Sequence, residues 1–380
     1  MRIAFTGGGT GGHFYPHIAV AEYIEDIVAE KHLVEPQLFY IGPKPFDPPT
    51  LVEHDIEYRS SPAGKMRQYS SPLNFFDGFK TAWGVVQSLF QLFSIFPDVI
   101  FSTGGYAAFP TLYAAKILRI PVIIYDADAS PGKVTLWSAK FARWIGVAHP
   151  NAAAAFPEIY RGKTALLGHP IRKEIETTAA EGGHEFLKID PSVPTIFVMG
   201  GSQGAVAINE CILDALPELI QRYNIVHQTG TANLKDVRAI AGVSLKNSQY
   251  EKRYATFGLL NTLAIRMAAG ITTVIVARAG SGTIFEIAAW KLPSILVPLP
   301  IDISHDQTEN AFSFARSGAA SVIEQHNLTP HILIAEIDRI MQNKALQTQM
   351  SDAAGVYARP DAARKIAQIL IETALEHEPK

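Results

Sequence analysis

The sequence predicts an α/β fold made of two doubly wound parallel-sheet domains. Three observations support this class. Short apolar runs alternate with helix-like stretches along the whole chain, as in buried parallel strands joined by helices. Glycine-rich turns come directly after several of these runs. The 380 residues exceed one ordinary core and suit two domains of common size.

The predicted elements form two series along the chain. The first series has strands at 2–6 (RIAFT), 38–42 (LFYIG), 98–102 (DVIFS), 121–125 (PVIIY) and 144–148 (WIGVA), with a helix over 16–30. The second has strands at 195–200 (TIFVMG), 224–228 (NIVHQ), 272–277 (TTVIVA) and 293–300 (PSILVPLP), with helices near 204–221 and 282–291. A polar stretch with glycines and prolines, over 167–195, separates them. We therefore expect domains at 1–168 and 169–357, with a helix over about 358–380 packing back on the first domain.

Composition excludes several classes of protein. A net charge of −3 disfavours a nucleic-acid-binding protein, which is usually strongly basic. The one cysteine, Cys211, excludes an intrachain disulfide and a thiolate metal cluster, and suits a reducing compartment. No signal peptide precedes the first strand, and no apolar run reaches the roughly 18 residues that span a bilayer. We expect a cytoplasmic protein that can still contact a membrane.

The first glycine turn raises the question of what it binds. Gly7, Gly9 and Gly12 fit G-x-G-x-x-G between a strand and a helix, where backbone amides can bind phosphate. A dinucleotide site also needs an acid at the end of the second strand, but Ile41–Lys44 contains none. This disfavours a dehydrogenase. Close helix–strand packing without a ligand stays open, although five glycines exceed what packing requires.

Three further glycine-rich turns occur in the sequence. Glycine turns at 103–105, 200–204 and 278–282 also follow predicted strands. Open α/β sheets bind their ligands at the carboxyl ends of strands. Four such turns, two in each half, predict a site for several phosphates.

The motifs that carry these turns resemble one family. GGTGGH, TGGY, GHPIR, GGSQGA, RAGSGTIFEIAAWKLPSILVPLP and DQTENA occur in the order of the MurG family of bacterial peptidoglycan glycosyltransferases, over roughly residues 1–325. The resemblance implies a GT-B fold, two Rossmann-like domains that face a cleft. It also implies inverting transfer of N-acetylglucosamine from UDP-N-acetylglucosamine to lipid I, the undecaprenyl-diphospho-MurNAc-pentapeptide, to form lipid II. No cofactor and no metal ion are implied.

Under this resemblance the second domain binds the donor. The helix that follows the turn at 278–282 suits the UDP diphosphate, and Glu286 binds the ribose hydroxyls. Arg172, in HPIR, lies near the uracil and the diphosphate. The other implied donor residues are Ser202, Gln203, Arg278, Gly280, Ser281, Gly282, Thr283, Asp306, Gln307 and Asn310. Asp306 departs from the family pattern and resembles the acid of glucosyltransferases, so the donor sugar stays open.

The acceptor diphosphate needs a second anion site, which the first domain supplies. The residues expected there are Gly9, Thr10, Gly11, Gly12, His13, Gly104, Gly105, Tyr106 and Asp128. His13 is the candidate general base, because a near-neutral imidazole suits removal of the acceptor's proton; it could instead only bind phosphate. Asp126 keeps an acid where the family has His-Glu-Gln-Asn, whereas the neighbouring residues do not match. Asp126 or Asp128 therefore stays open as the base.

A stretch over 74–97 predicts a membrane-facing helix. Its large apolar residues recur at three- and four-residue spacings and are Phe75, Phe76, Phe79, Trp83, Val86, Phe90 and Phe93, with Lys80 nearby. Trp137 and Lys140 extend the face on another helix. The same stripe could form core instead, since spacing does not tell which residues face outward. The resemblance favours a peripheral protein on the inner face of the cell membrane.

Three alternatives remain at this stage. A related transferase could glycosylate another lipid, such as a diacylglycerol. A UDP-N-acetylglucosamine 2-epimerase shares the two-domain fold and needs no lipid acceptor. A non-catalytic scaffold is disfavoured, because His13, Glu286, Gln307 and all the glycine turns are present.

Overall fold

The computed structural model describes residues 1–64, 73–201, 204–303 and 305–377. The chain divides into two compact units. Met1–Arg172 and Pro360–Lys380 form the first unit, and Lys173–Arg359 forms the second. The boundary expected after residue 168 lies a few residues earlier than this division.

The first unit contains a parallel sheet whose central strands are buried except for Arg2 at the start of β1. Within the described residues it has seven strands, in the order β3-β2-β1-β4-β5-β6-β7. They are β1 (Arg2–Thr6), β2 (Gln37–Gly42), β3 (Ile56–Ser60), β4 (Val99–Ser102), β5 (Val122–Asp126), β6 (Trp144–Val147) and β7 (Thr164–Leu166). The five strands expected in this half correspond to β1, β2, β4, β5 and β6.

Helices connect these strands. They are α1 (Gly11–Glu30), α2 (Pro48–Glu53), α3 (Leu73–Ile95), α4 (Phe109–Leu118), α5 (Lys133–Ser138) and α6 (Pro150–Ala154). The expected start of α1 at residue 16 is wrong, because Pro16 lies inside the helix. Proline favours a first turn but does not prevent a helix from beginning earlier, and here the glycine turn starts it at Gly11.

The second unit repeats this plan. Within the described residues its sheet has six strands, in the order β10-β9-β8-β11-β12-β13. They are β8 (Thr195–Met199), β9 (Asn224–Gln228), β10 (Tyr254–Phe257), β11 (Thr272–Ala277), β12 (Ser294–Leu296) and β13 (Ala320–Val322). The helices are α7 (Lys173–Glu176), α8 (Gly183–Leu187), α9 (Val206–Leu219), α10 (Leu234–Ser244), α11 (Thr262–Gly270), α12 (Ser281–Trp290), α13 (His305–Arg316), α14 (Pro330–Met341) and α15 (Lys344–Ala358). A last helix, α16 (Ala362–His377), returns to the first unit and binds α1 through an Arg364–Glu30 ion pair.

Four strands were not expected from the sequence: β3, β7, β10 and β13. All four lie at the edges of the sheets, and their side chains are mostly half-buried or exposed. An edge strand covered on one side needs no continuous apolar run, so the pattern that marks β1 or β8 is missing. The strand expected over 293–300 ends early, at Leu296, and prolines occupy positions 298 and 300.

A buried polar network stabilises the second unit. Asn209 of α9 donates through Nδ2 to the carbonyl oxygen of Thr229 (3.0 Å), so its Oδ1 accepts from His227 Nε2 at 3.0 Å. Tyr254 then donates its hydroxyl to His227 Nδ1 at 2.9 Å. Burial lowers the pKa of His227 from 6.5 to about 3. The neutral imidazole therefore ties α9 to β9 and β10.

Acid is expected to destabilise the protein through His227. Between pH 6.5 and about 3 the unfolded chain binds a proton at this residue and the folded chain does not. Stability therefore falls as pH drops below about 6.5, by up to roughly 1.4 kcal/mol per pH unit. His227→Gln removes this titration and keeps a donor toward Asn209. Its free energy of unfolding, from urea titrations at several pH values, should decline less steeply than that of the unaltered protein.

The matched control is His331→Gln, which changes an exposed histidine of the same unit. Its side chain contacts water in both states, so the slope should stay as in the unaltered protein. Equal slopes for His227→Gln and the unaltered protein would contradict this account of His227.

Candidate active site

Two of the predicted glycine turns meet in the first unit. β1 and β4 are neighbours, and the amide of Thr103, directly after β4, donates to the carbonyl oxygen of Thr6 at 3.1 Å. A Cβ on Gly105 would lie 3.5 Å from the carbonyl oxygen of Gly8. The strand order reverses between β1 and β4, which is where open α/β sheets bind ligands. The turns at 7–12 and 103–105 thus form one loop cluster.

The backbone of this cluster needs glycine and leaves part of the turn open. Gly104 has a φ of +75°, and a Cβ there would lie 2.6 Å from Thr135 Oγ1. By contrast, Gly9, Thr10 and Gly12 are exposed, and a Cβ on Gly12 would meet only Thr10 Oγ1, at 3.9 Å. The first turn of α1 carries no acidic side chain. The positive end of this helix is therefore open to an anion.

His13 lies in the first turn of α1 and points to the second loop. Its Nδ1 is 3.0 Å from the carbonyl oxygen of Thr103. Because a carbonyl oxygen only accepts, Nδ1 carries the proton in the neutral ring and the lone pair lies on Nε2. Nε2 is 3.5 Å from the position that a Cβ on Gly105 would take. The half-buried imidazole thus presents a proton acceptor within the loop cluster.

Asp126 organises the loop that follows β5. Its Oδ1 accepts from the amide of Asp128 and its Oδ2 from the amide of Gly132, both at 3.1 Å. Burial, reinforced by the charge of Asp128, raises the pKa of Asp126 to about 7. Both oxygens of Asp126 are thus turned into the loop. Asp126 is buried, whereas Asp128 is only half-buried.

Two buried histidines near this loop were not expected from the sequence. His149 follows β6 and His169 follows β7, so both lie at the carboxyl ends of neighbouring strands. Tyr125 donates to the carbonyl oxygen of Gly168 at 3.0 Å, so the 3.0 Å contact with His169 Nδ1 makes that nitrogen a donor. Burial lowers the pKa of His169 to about 3 and that of His149 to about 4. The negative charge of Asp128 partly opposes this lowering at both histidines. In the sequence, the one feature that marks these histidines is a His-Pro pair shortly after each strand, at 149–150 and 169–170.

Arg172 belongs to the first unit, at the end of its longer segment, Met1–Arg172. Its guanidinium carbon lies 4.1 Å from the ring centroid of Tyr15, on α1. The Tyr15 hydroxyl donates to Asp47 at 3.3 Å. Arg172 thus packs against α1 of the first unit, whereas the other expected donor residues belong to the second unit. Tyr106 is half-buried, 3.5 Å from where a Cβ on Gly9 would lie.

The second unit has an equivalent switch point between β8 and β11. There α12 begins after Gly280, whose Cβ position meets nothing within 4 Å, and its first turn carries no acid. Gly282, Thr283 and Glu286 are half-buried and share one face of α12. The opposite face is buried, Ser281 included. Glu286 therefore lies on the same side as the open helix start.

Three of the expected donor residues brace the loops around this helix. Arg278 Nη1 donates to the carbonyl oxygen of Val297 at 3.0 Å, and burial lowers the pKa of Arg278. Gln307 Oε1 accepts from the amide of Leu299 at 3.1 Å. Asn310 Nδ2 donates to the carbonyl oxygen of Ala279 at 3.3 Å. These side chains hold the turns after β11 and β12 together.

Some expected site residues lie outside the described residues. These are Ser202 and Gln203 entirely, and Asp306 and Phe76 with respect to their side chains. Among the described residues, no group of three or more His, Cys, Asp or Glu side chains is arranged to hold a metal ion.

The aromatic stripe of α3 faces outward. Phe75, Phe79, Trp83, Phe90 and Phe93 are exposed, with Trp83 at 65% and Phe93 at 72% exposure. Val86 and Lys80 are also exposed. The opposite side of α3 is buried and includes Gly84, Ser88 and Leu92. The stripe is therefore a surface and not core.

Trp137 behaves differently from this stripe. It is half-buried, stacks on Tyr113 with ring centroids 6.1 Å apart, and contacts Phe109 and Phe141. Lys140 beside it is exposed. Trp137 thus packs into an aromatic cluster, and Lys140 is the more accessible of the two.

Comparisons with known proteins match both units. The glycosyltransferase family 28 N-terminal domain matches residues 3–147, and the family 28 C-terminal domain matches residues 195–367. The chain is 34% identical to the UDP-N-acetylglucosamine–N-acetylmuramyl-(pentapeptide) pyrophosphoryl-undecaprenol N-acetylglucosamine transferase of Treponema denticola, over 97% of this chain and 96% of the relative. Bacillus thuringiensis (strain Al Hakam) has a relative with the same name followed by the number 3. It is 34% identical over 90% of this chain and 92% of its own length.

Solved structures agree with these matches. The crystal structure of Acinetobacter baumannii MurG is 25% identical and superposes with a TM-score of 0.73, covering 98% of this chain and 99% of that one. The UDP-GlcNAc 2-epimerase of Neisseria meningitidis, bound to UDP-GlcNAc, is 14% identical with a TM-score of 0.63, covering 98% of this chain and all of that one, so it shows the fold alone. Two parallel-sheet units and these neighbours confirm the predicted GT-B fold class. The chain belongs to the family of UDP-N-acetylglucosamine–N-acetylmuramyl-(pentapeptide) pyrophosphoryl-undecaprenol N-acetylglucosamine transferases, the MurG family.

Proposed function

We propose that this glycosyltransferase moves N-acetylglucosamine from UDP-N-acetylglucosamine to lipid I, forming lipid II for peptidoglycan synthesis with inversion at the anomeric carbon. The observation that carries the proposal is the 34% identity over 97% of the chain to a transferase named for this reaction. Open helix starts at both switch points support it, because donor and acceptor each carry a diphosphate.

The second unit binds the donor in this proposal. Amides at the start of α12 receive the diphosphate and stabilise its charge as UDP leaves. Glu286 accepts hydrogen bonds from the ribose hydroxyls, since it shares a face with Thr283 near that helix start. Arg278, Gln307 and Asn310 keep the surrounding turns in place through their backbone contacts.

The first unit binds the acceptor and removes its proton. The acceptor hydroxyl gives its proton to His13 Nε2 while its oxygen bonds to the anomeric carbon, and the bond from that carbon to the UDP oxygen breaks. The Thr103 carbonyl keeps the proton of the neutral ring on Nδ1, which leaves Nε2 as the base. Gly9, Thr10 and Gly12 are the exposed part of the turn that receives the acceptor diphosphate.

His13 suits the role of base better than Asp126. Both carboxylate oxygens of Asp126 accept backbone hydrogen bonds within their own loop. Both oxygens are therefore already engaged within the loop, whereas Nε2 of His13 is not needed to hold a turn in place. Asp128 and the buried histidines then shape the pocket around the acceptor.

A lipid surface covers the exposed stripe of α3 in this proposal. An undecaprenyl-linked acceptor lies in a membrane, so the enzyme must work at the bilayer. Large exposed apolar patches mark such contact sites, and exposed Lys80 and Lys140 suit anionic headgroups. Among the described residues, no helix is both long enough and apolar enough to cross a bilayer. We therefore propose peripheral attachment to the inner face of the cell membrane.

Radiolabelled transfer tests the reaction directly. Purified enzyme should move label from UDP-N-acetylglucosamine to a lipid I analogue, and UDP-glucose should be a much poorer donor. Transfer to diacylglycerol in place of lipid I would support a transferase acting on another lipid. Conversion of the UDP-sugar without an acceptor would support a 2-epimerase. Either result would overturn the proposal.

Replacing the base should mainly affect turnover. His13→Ala is expected to lower kcat by about 10²- to 10⁴-fold, the usual range for general base catalysis. The affinity for UDP-N-acetylglucosamine should hardly change, because Glu286 and α12 are intact.

The comparison variants are Asp126→Asn and Asp128→Asn, assayed at saturating donor. Asp126→Asn should chiefly lower the melting temperature, because an amide cannot accept on both sides of the loop. A larger loss of kcat in either aspartate variant than in His13→Ala would move the base to that aspartate.

Charges placed on the stripe of α3 should release the enzyme from membranes. Burying one large apolar side chain contributes roughly 1.5–3 kcal/mol, so the double variant Trp83→Glu/Phe90→Glu should lose at least tenfold in vesicle affinity. Flotation with phosphatidylglycerol-containing vesicles measures this loss. Val356→Glu is the matched control, because Val356 is an exposed apolar residue of the second unit. Unchanged flotation of the double variant would exclude the stripe as the membrane face.

A further inference from the structure

Thr103 holds His13 at two points. Its carbonyl oxygen accepts a hydrogen bond from the ring nitrogen Nδ1 at 3.0 Å. Its hydroxyl donates to the backbone carbonyl oxygen of His13 at 2.8 Å. One residue, 90 positions away in the chain, thus contacts both the imidazole and the helical turn that carries it.

His17 orients that hydroxyl. Thr103 Oγ1 lies 3.1 Å from His17 Nε2, and the single hydroxyl proton is already donated to His13. Nε2 of His17 must therefore be the donor. Its other nitrogen, Nδ1, is buried and has no hydrogen-bond partner in the described part of the chain. Burial lowers the pKa of His17 to about 3, so the ring stays neutral, with its proton on Nε2.

The His17 ring is itself confined by aromatic side chains. Its centroid lies 5.4 Å from that of Phe5, 5.7 Å from Tyr40 and 5.5 Å from Phe101. The glycine turn also fits closely around the contact. A Cβ on Gly7 would lie 2.1 Å from Thr103 Oγ1 and 2.9 Å from His17 Nε2. The turn therefore leaves room for this hydrogen bond and for little else.

We propose that Thr103 and His17 are positioning residues for the reaction, because they fix the tautomer and the orientation of His13. The inference rests on the proposed role of His13 as base. Without the Thr103 hydroxyl, the first turn of α1 loses a contact to the loop that follows β4, and the ring loses the alignment of its Nδ1–H with the carbonyl. His17 acts only through Thr103 and contacts no substrate.

The kinetic test uses conservative pairs at each position. Thr103→Val is expected to lower kcat about tenfold, the equivalent of one hydrogen bond, with KM unchanged for both substrates. Thr103→Ser retains the hydroxyl and should recover most of this loss. At the second position, His17→Phe should lower kcat and His17→Gln, which keeps a donor near Nε2, should recover it. Equal turnover within both pairs would overturn the proposal.

A double variant separates positioning from general packing. If Thr103 acts only through His13, then His13→Ala/Thr103→Val should be no slower than His13→Ala alone. Multiplied losses would mean that Thr103 supports the fold in general, and would overturn the proposal.

A spectroscopic measurement distinguishes failure of this inference from failure of the proposed function. In ¹⁵N-histidine-labelled protein, the His13 signals, assigned with His13→Gln, should show the Nδ1–H tautomer. Thr103→Val should add a second population with the proton on Nε2. An unchanged spectrum in Thr103→Val would overturn the positioning role whatever the activity. Full turnover in His13→Ala would instead overturn the base assignment, even if the spectrum responds as expected.

Discussion

Parallel pairing at two switch points is the constraint on which the candidate site depends. β1 pairs with β4, and β8 pairs with β11. After the first strand of each pair the next strand is added on one side of the sheet, and after the second strand it is added on the other side. The loops at their carboxyl ends therefore open a crevice. The backbone bond from Thr103 to Thr6, 3.1 Å long, shows how closely the loops are joined to the sheet. A change of register in either pair would separate the glycine turns from each other.

Neutral buried histidines link elements within each unit in the part of the chain that the structure describes. His17 lies under the first glycine turn and His169 beside Tyr125, and in the second unit His227 bridges Asn209 and Tyr254. Burial lowers the pKa of all three histidines to about 3. A neutral imidazole can form hydrogen bonds without the cost of a buried charge. His227 uses both ring nitrogens, whereas His17 bonds through Nε2 alone. This support persists at neutral pH and weakens in acid.

The sequence allowed the central strands and the glycine turns to be predicted, but not their contacts. NIVHQ and TTVIVA read as strands because both faces are covered, and β9 and β11 have those bounds. His13 is predicted as a site residue from its place directly after the first glycine turn. Thr103 and His17 lie 86 residues apart, and no local pattern relates them. Likewise, spacing identifies Arg278 as part of a turn, but its contact with Val297 depends on how β12 packs beside β11.

The helix α3 shows why periodicity alone left its orientation open. A stripe of aromatic residues fits a core as well as a surface, and the packing of the opposite face decides between them. A Cβ on Gly84 would lie 1.9 Å from the carbonyl oxygen of Pro62, and Ser88 bonds to Ser61 at 2.7 Å. The helix therefore approaches this segment too closely for any large side chain, and Trp83 and Phe90 must lie on the other side. Their exposure follows from close packing on the opposite side of the helix, and the proposed membrane contact uses the face that this packing leaves exposed.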